Sequence, residues 1–199
     1  MTATQRRERD RRQRHELIVR TARDLAEAEG WDAVTTRRLA DRVEYSQPVL
    51  YSHFENRDAI VRAVALEGFT DLGTELRSAR LAASAPGAAV RAVAQAYLDF
   101  ASAHPALYEA MFSLPIGVRF ASPSHTPQPL VDSFAQLVAV LGGRPEEPFA
   151  DPDAALLAEV YWSALHGLVT LTRQGRMPPD GQPARLDLLL ARLAPIAAP

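Results

Sequence analysis

The chain has 199 residues, of which 47% are hydrophobic and 23% charged, and its formal net charge is −2. This length and apolar content suit one large or two small domains with a buried core. The near-neutral charge excludes a uniformly basic nucleic-acid-binding surface, and the absence of cysteine excludes a disulfide scaffold, a thiolate metal site and a cysteine nucleophile.

The amino-terminal segment 1–12 is rich in arginine and is predicted to be a solvated arm. Its arginines can reach phosphates or a minor groove, or remain in solvent, and the sequence leaves both open. The segment is too charged for a signal peptide. No uninterrupted apolar run approaches the ~18–20 residues of a membrane helix. We therefore expect a soluble, cytoplasmic protein with no membrane partner.

A first helix is predicted from about Gln13, where apolar residues begin to recur at spacings of three and four. Gly30 is expected to end it as a left-handed cap. A second helix is predicted over 37–43, with Thr35 or Thr36 as its N-cap.

A third short helix is predicted over 47–54, with Ser46 as its N-cap. Pro48 falls in its first turn, where a proline removes no helical hydrogen bond. The second and third helices together form a helix-turn-helix, and the third has few apolar anchors, so its other face is expected to meet a partner. The predicted core of this small domain consists of Leu39, Ala40, Val43, Leu50 and Phe54.

The rest of the chain is also predicted to be helical, without strands. Asn56 can cap a fourth helix over 57–80. At ~1.5 Å per residue this helix would be ~36 Å long, enough to connect two domains. The remaining helices are predicted over 88–103, 105–112, 130–141, 153–174 and 184–193. The fold class is therefore all-α.

Residues 13–66 resemble the TetR family of bacterial transcriptional regulators. The residues that carry the resemblance are Leu25, Ala26, Gly30, the segment TTRRLA at 35–40, the segment LYSHF at 50–54, and Asn56 with Arg57. The segment QPVLY at 47–51, followed by His53, is especially similar to the recognition helix of the family's founding member. The resemblance implies a helix-turn-helix DNA-binding domain over 13–68, followed by a helical ligand-binding and dimerisation domain over 69–199.

The second domain resembles a subgroup of the family that is named WHG after its characteristic residues. The matching residues are the segment HPALY at 104–108, Met111 with Phe112, and Trp162 with His166 and Gly167.

The helix-turn-helix also departs from the family's pattern. Glu44 stands where the family usually has glycine, and a positive φ there would cost a non-glycine residue about 1 kcal/mol or more. Val49 and Ser52 differ from the founding member at positions that face the groove, so its operator sequence cannot be transferred.

The third helix carries the candidate DNA contacts, because a major groove admits an α-helix and shows a distinct hydrogen-bonding pattern at each base pair. Gln47 can pair with adenine, and Pro48 and Val49 can contact a thymine methyl group. Tyr51 and His53 can hydrogen-bond phosphates. The hydroxyl of Ser52 suits either role.

Three further DNA contacts are implied by the resemblance. Arg37 would read bases, and Thr36 and Arg57 would contact phosphates. The alternative for each candidate is an ordinary exposed polar side chain, and Thr36 also suits a helix cap.

The helices predicted over 153–174 and 184–193 are apolar on more than one face, and one domain core can cover one face of each. We therefore expect a two-fold homodimer in which both helices pack against their copies as a four-helix bundle. The predicted interface residues are Leu157, Ala164, Gly167, Leu168, Leu189 and Leu193.

A set of mostly aromatic side chains lies on helices that family members arrange around an inducer pocket. Apolar walls with a few polar tips suit a small, largely apolar ligand, whereas the alternative is that these residues pack the core. Such a ligand would change the spacing of the DNA-binding heads. The candidates are Tyr97, Phe100, Tyr108, Met111, Phe112, Phe134, Trp162 and His166.

The sequence is compatible with three functions. The first is a homodimeric repressor that a small-molecule inducer releases from a palindromic operator in double-stranded DNA. The second is an all-α enzyme or small-molecule carrier, but the second domain has no HExxH motif and no carboxylate–histidine pair at helical spacing, so no catalytic residue, metal or cofactor is predicted. The third is a helix-turn-helix for protein contact, which would be expected to carry large apolar anchors in place of Gln47, Tyr51 and His53.

Overall fold

The structure is a computed structural model that describes residues 2–115 and 126–193, apart from the side chains of Ala3 and Leu193. Within these ranges the chain forms α-helices, short 3-10 turns and no strand, which confirms the predicted all-α fold. The helices are α1 (Ala3–Glu29), α2 (Thr36–Arg42), α3 (Gln47–Tyr51), α4 (Arg57–Ala82), α5 (Pro86–Ala103), α6 (Pro105–Phe112), α7 (Gln128–Val140), α8 (Pro152–Arg173) and α9 (Gln182–Leu193).

The chain divides into two compact units, and the division falls inside α4. The described residues of the first unit are 2–68 and 104–115, and those of the second are 69–103 and 126–193. The sequence placed the whole of 69–199 in one domain, whereas α6 belongs to the first unit.

The first helix starts much earlier than predicted, at Ala3 and not near Gln13. Thr2 and Gln5 close a capping box there: the Gln5 amide donates to Thr2 Oγ1 at 3.3 Å, and the Thr2 amide donates to Gln5 Oε1 at 2.8 Å. The segment contains no glycine or proline and consists mainly of arginine, glutamine and glutamate, which are strong helix formers. The predicted arm is therefore the first turns of α1.

Gly30 ends α1 and has a positive φ of 83°, but its ψ of 166° is extended and not left-handed helical. The prediction of a left-handed cap was therefore right about the sign of φ and wrong about the conformation. The Gly30 amide still donates to the carbonyl of Ala26 at 2.8 Å, so it satisfies one of the last carbonyls of the helix.

The helix-turn-helix forms as predicted, except that α3 ends at Tyr51 and not at residue 54, and that the Ser46 side chain makes no capping hydrogen bond at its start. Thr35 caps α2 by accepting from the Arg38 amide at 3.2 Å, and Asn56 caps α4 by accepting from the Ala59 amide at 2.9 Å. Glu44 in the turn has a φ of 57°, so the turn keeps a positive φ at the position where the family usually has glycine. All five predicted core residues of this small domain are buried: Leu39, Ala40, Val43, Leu50 and Phe54.

Hydrogen bonds to α1 and to the 3-10 turn after it hold α6 in the first unit. The carboxylate of Glu27 accepts from the backbone amides of Ala106 and Leu107 at 3.0 and 2.9 Å, at the start of α6. The Trp31 indole donates to the carbonyl of Ala106 at 2.7 Å. These partners lie 75 to 80 residues apart in the chain, so local sequence patterns do not indicate the contact.

The second unit is built from α5, α7, α8 and α9 with the last part of α4. The hydroxyl of Tyr161 on α8 donates to the carbonyl of Val90 on α5 at 2.6 Å, and burial raises the pKa of Tyr161. Gly73 on α4 permits close packing against α7, because a Cβ there would lie 3.2 Å from the Ser133 Cα.

By length and mean hydropathy, α8 is apolar enough to cross a membrane. A third of its most apolar stretch is buried. The search for uninterrupted apolar runs did not anticipate this, because Glu159 and His166 interrupt the helix. Core helices of soluble proteins pass the same test, so this property alone is a weak indication.

Candidate nucleic-acid interface

The outer face of α3 carries the polar side chains that the sequence predicts would contact DNA. Leu50 is fully buried beneath it and anchors the helix. Tyr51 is 49% exposed, and Ser52 uses its hydroxyl to donate to the Val49 carbonyl at 2.6 Å. The exposed candidates on or just after α3 are Gln47, Pro48, Tyr51 and Ser52, whereas Val49 and His53 are half-buried.

Two of the predicted contacts on α2 lie next to this face. Thr36 Oγ1 and the Tyr51 hydroxyl are 3.4 Å apart, so the side chains of α2 and α3 meet there. Arg37 is exposed, and within the described residues it forms no hydrogen bond or ion pair. Its neighbours Arg38 and Arg42 differ, because both bind the carboxylate of Glu29, at 2.8 and 3.2 Å. Arg37 is therefore available for a partner.

The pKa of His53 lies below the ordinary value for histidine. Burial is the largest cause, and the charges of Arg11, His15 and Arg14 lower it further. The imidazole is therefore mainly neutral at pH 7. A neutral ring can donate one hydrogen bond to a phosphate, and an approaching phosphate would favour its protonation.

Arg57 has a partner inside the first unit that the sequence did not indicate. Its Nε donates to the carbonyl of Val34 at 2.7 Å, and its Nη2 donates to the carbonyl of Trp31 at 2.6 Å. Its Nη1 lies 3.7 Å from the Asp58 carboxylate. The guanidinium thus stabilises the turn before α2, and its contact with a phosphate stays a prediction.

An open groove of about 320 Å³ lies beside His53 and was missed by the sequence reasoning. The spacing of its α1 residues is that of one helix face, but the sequence predicted a solvated arm over this segment and a helix only from about Gln13. The groove is lined by Glu8, Arg11, Arg12, His15 and His53.

Part of the predicted ligand set clusters in the second unit. The Trp162 indole donates to the Tyr97 hydroxyl at 3.1 Å, and the ring of Phe134 lies 6.3 Å from that of Trp162, edge to face. Phe134 also stacks at 5.7 Å with Phe149, a residue of the loop before α8 that the sequence did not single out. These rings form one aromatic cluster, with Phe100 buried in the same unit.

His166 lies on the same helix as Trp162 and is half-buried. Its Nε2 is 3.3 Å from the Thr170 hydroxyl, and burial lowers its pKa, so its ring is mainly neutral at pH 7. A neutral imidazole suits a mainly apolar environment.

The other three ligand candidates lie in the first unit, on α6. Tyr108 and Phe112 have ring centroids 4.6 Å apart. Met111 is buried beside Gly68, where a Cβ would come within 2.7 Å of its sulfur. The eight candidates are therefore shared between the two units.

The predicted dimer face contains apolar side chains that the single chain leaves uncovered. The most exposed ones are Leu156 at 60%, Val160 at 54% and Leu188 at 60%, with Leu171 at 38%. They were not among the interface residues chosen from the sequence. Of those chosen, Leu157, Ala164, Gly167, Leu168 and Leu189 are half-buried, and the side chain of Leu193 lies outside the described residues.

The described residues contain no group of three or more histidine, aspartate or glutamate side chains placed to hold a metal ion.

Comparison with known proteins gives two family matches that together cover most of the chain. Residues 18–64 match the family described as bacterial regulatory proteins, tetR family, and residues 90–193 match the tetracyclin repressor-like C-terminal domain.

Two curated relatives differ in how far the similarity extends. An uncharacterized HTH-type transcriptional regulator of Mycobacterium tuberculosis is 32% identical over 180 residues, which cover 90% of this chain and 79% of that protein. The class C tetracycline repressor of Escherichia coli is 46% identical over 50 residues, which cover 25% of this chain and 23% of the repressor.

Solved structures share the fold over most of the chain. A protein of unknown function from Rhodococcus sp. RHA1 superposes with a TM-score of 0.71 and 25% identity, covering 90% of this chain and 92% of the other. A TetR variant from Acinetobacter baumannii in complex with minocycline superposes with a TM-score of 0.59 and 22% identity, covering 88% and 91%.

Proposed function

Because this chain belongs to the tetR family of bacterial regulatory proteins and is a transcriptional regulator, we propose that it is a homodimeric repressor that a ligand releases from its operator. The operator is palindromic double-stranded DNA, and the ligand is small and largely apolar. The observation that carries the proposal is the outer face of α3, whose exposed polar side chains lie over one buried anchor, Leu50. Members of this family are regulators and not enzymes.

On this proposal α3 lies in the major groove. Gln47 begins the helix and is exposed, so its amide can reach the edge of an adenine. Pro48 and Val49 supply apolar contact to a thymine methyl group. Arg37 on the neighbouring helix is the second base reader, because its guanidinium has the bidentate geometry that guanine accepts.

The flanking side chains position the helix on the backbone. The adjacent hydroxyls of Thr36 and Tyr51 can donate to the same stretch of phosphates, since they lie 3.4 Å apart. His53 contacts the backbone beyond the end of α3. The Ser52 hydroxyl must leave the Val49 carbonyl to take part, which makes it the weakest of these contacts.

The homodimer is supported by the uncovered apolar stripe on α8. Leu156, Val160, Ala164, Gly167 and Leu171 follow at intervals of three or four and so share one face of the helix. Gly167 has open space around the position of a Cβ, which leaves room for the backbone of a second helix. A two-fold axis beside α8 and α9 would cover the stripe and pair two reading heads, which requires an inverted-repeat operator.

The ligand site is the aromatic cluster of Tyr97, Phe134 and Trp162, with His166 one turn of α8 beyond Trp162. The related structure from Acinetobacter baumannii holds minocycline, which supports a site for an apolar or aromatic molecule in this fold. Tyr108, Met111 and Phe112 lie on α6 in the first unit and are not assigned to this cluster. Because α4 continues through both units, it is the element that would carry a ligand-dependent shift to the DNA-binding face.

The test is selection of bound fragments from random double-stranded DNA by the purified full-length protein. The proposal predicts an inverted repeat with two chains per site, measured by sedimentation of the complex. Recovery of unrelated sequences, or of single half-sites with one chain each, would contradict it. Addition of aromatic and aliphatic ligands to the selected complex then tests release.

A further inference from the structure

A groove beside the DNA-binding face gives the first turns of α1 a role that the proposed function does not assign. On a helix with 3.6 residues per turn, positions 8, 11, 12 and 15 lie on one face. The side chains of Glu8, Arg11, Arg12 and His15 form one wall, and His53, just after α3, forms the other.

The wall is fixed in place by packing of α1 on the segment that follows α3. The ring of His15 stacks on that of Phe54, with centroids 4.5 Å apart and an angle of 26° between the planes. Phe54 is buried, and Ile18 and Val19 on the next turn of α1 are fully buried. Because α1 is one continuous helix from Ala3, the arginines that precede His15 lie on the same helix as this anchored turn.

The groove carries positive charge that nearby carboxylates do not neutralise. Arg11 and Arg12 are both exposed and form no ion pair within the described part of the first unit. Glu8 is the one carboxylate among the five lining residues. Arg11 and Arg14 act on His53 strongly enough to lower its pKa further than burial does alone. An anion in the groove would therefore be attracted.

We propose that this groove binds phosphates of the DNA backbone beside those that α3 meets, with Arg11 and Arg12 as the contacting side chains and His15 as a positioning residue. The inference rests on the proposed function, since it requires a duplex held against α3. Arginine suits the task because its planar guanidinium binds phosphate through two parallel hydrogen bonds. Such contacts raise affinity for every sequence equally and leave base discrimination to α3.

The test compares the Arg11→Gln/Arg12→Gln double variant of the full-length protein with the wild type. Glutamine removes the charges and keeps a high helix propensity, so α1 should remain folded. Both proteins are titrated with the selected duplex and with a scrambled duplex of equal length across a range of salt concentrations. Loss of two phosphate contacts flattens the plot of log affinity against log salt by about two units, and lowers affinity on the order of tens-fold at 0.1 M salt. The ratio between the two duplexes stays unchanged.

The matched control is Arg6→Gln/Arg9→Gln, which removes the same charge from the same helix at positions that do not line the groove. Its salt slope should stay near that of the wild type. Equal flattening in both double variants would overturn the inference, because the loss would then reflect net charge alone. An unchanged slope in the groove variant would overturn it as well.

Failure of the inference can be told apart from failure of the proposed function. If the wild-type protein prefers the selected duplex and the groove variant has an unchanged salt slope, only the inference about the groove is overturned. A wild-type protein with no preference between the duplexes overturns the proposed function. If the groove variant still flattens the slope in that case, the phosphate contact itself is supported.

Discussion

The outer face of α3 and the apolar stripe of α8 are both uncovered in the single chain, yet their exposure means different things. Gln47 and Tyr51 on α3 are polar, so their exposure to water costs little free energy. Leu156 and Val160 on α8 are 60% and 54% exposed, and uncovered apolar area is unfavourable by roughly 25 cal/mol per Å².

An uncovered apolar face is unfavourable in water and therefore indicates a partner, whereas an uncovered polar face indicates one only through the arrangement of its side chains. The polar face of α3 is held in place by the buried Leu50 beneath it and by contact with the adjacent α2. The following changes test each side of this comparison, starting with the largest expected effect.

Leu156→Glu should separate the dimer. A charge introduced into a buried apolar interface costs several kcal/mol, and the two-fold axis applies the change twice, so the dimer dissociation constant should rise by at least ~100-fold. Sedimentation equilibrium measures it. Leu81→Glu is the matched control, because Leu81 is 63% exposed on α4, outside the stripe. Equal dissociation constants for the two variants would show that the stripe is not the interface.

Gln47→Ala should weaken discrimination at one base pair by ~1–3 kcal/mol, because a bidentate contact to adenine is lost. The measurement is the affinity for the selected duplex and for single-base variants of it, at fixed salt. Affinity for scrambled DNA should hardly change. Equal losses on selected and scrambled duplexes would show that Gln47 does not read a base.

Arg57→Ala should lower the free energy of unfolding by about 1–2 kcal/mol, because the carbonyls of Trp31 and Val34 lose a charged donor that is only partly exposed. Urea denaturation measures this loss. Arg37→Ala is the control and should stay within ~0.5 kcal/mol of the wild type, since Arg37 is exposed. Unchanged stability of the Arg57 variant, together with a salt slope flattened by one unit, would favour the phosphate contact instead.

Glu44→Gly should raise the free energy of unfolding by about 0.5 kcal/mol, the smallest of these effects. Glycine relieves the strain of a φ of 57°, and its greater freedom in the unfolded chain offsets part of the gain. Glu44→Ala keeps the Cβ and should give no gain in the same urea titration. A stabilised alanine variant would show that the gain comes from removing the carboxylate.

The features that the sequence predicted correctly are those encoded within a few residues. Pro48 in the first turn and the threonine cap of α2 follow from local stereochemistry, and the buried anchors follow from helical periodicity. The start of α1 was missed because the periodicity search relies on apolar residues, and this segment consists of polar helix formers.

The features that the sequence did not predict depend on contacts far apart in the chain. The donation of Arg57 to Trp31 and Val34 requires the fold to bring the 3-10 turn to α4. The capping of α6 by Glu27 spans 79 residues and places α6 in the first unit. Local patterns carry no signal for either contact.

The most direct test of the central claim, that α3 reads a DNA sequence, is a competition titration at about 0.15 M salt. The full-length protein is challenged with its selected inverted repeat and a scrambled duplex of the same length and composition. Base readout by two copies of α3 predicts a preference of at least ~1,000-fold for the inverted repeat. Equal affinity for the two duplexes would contradict the account.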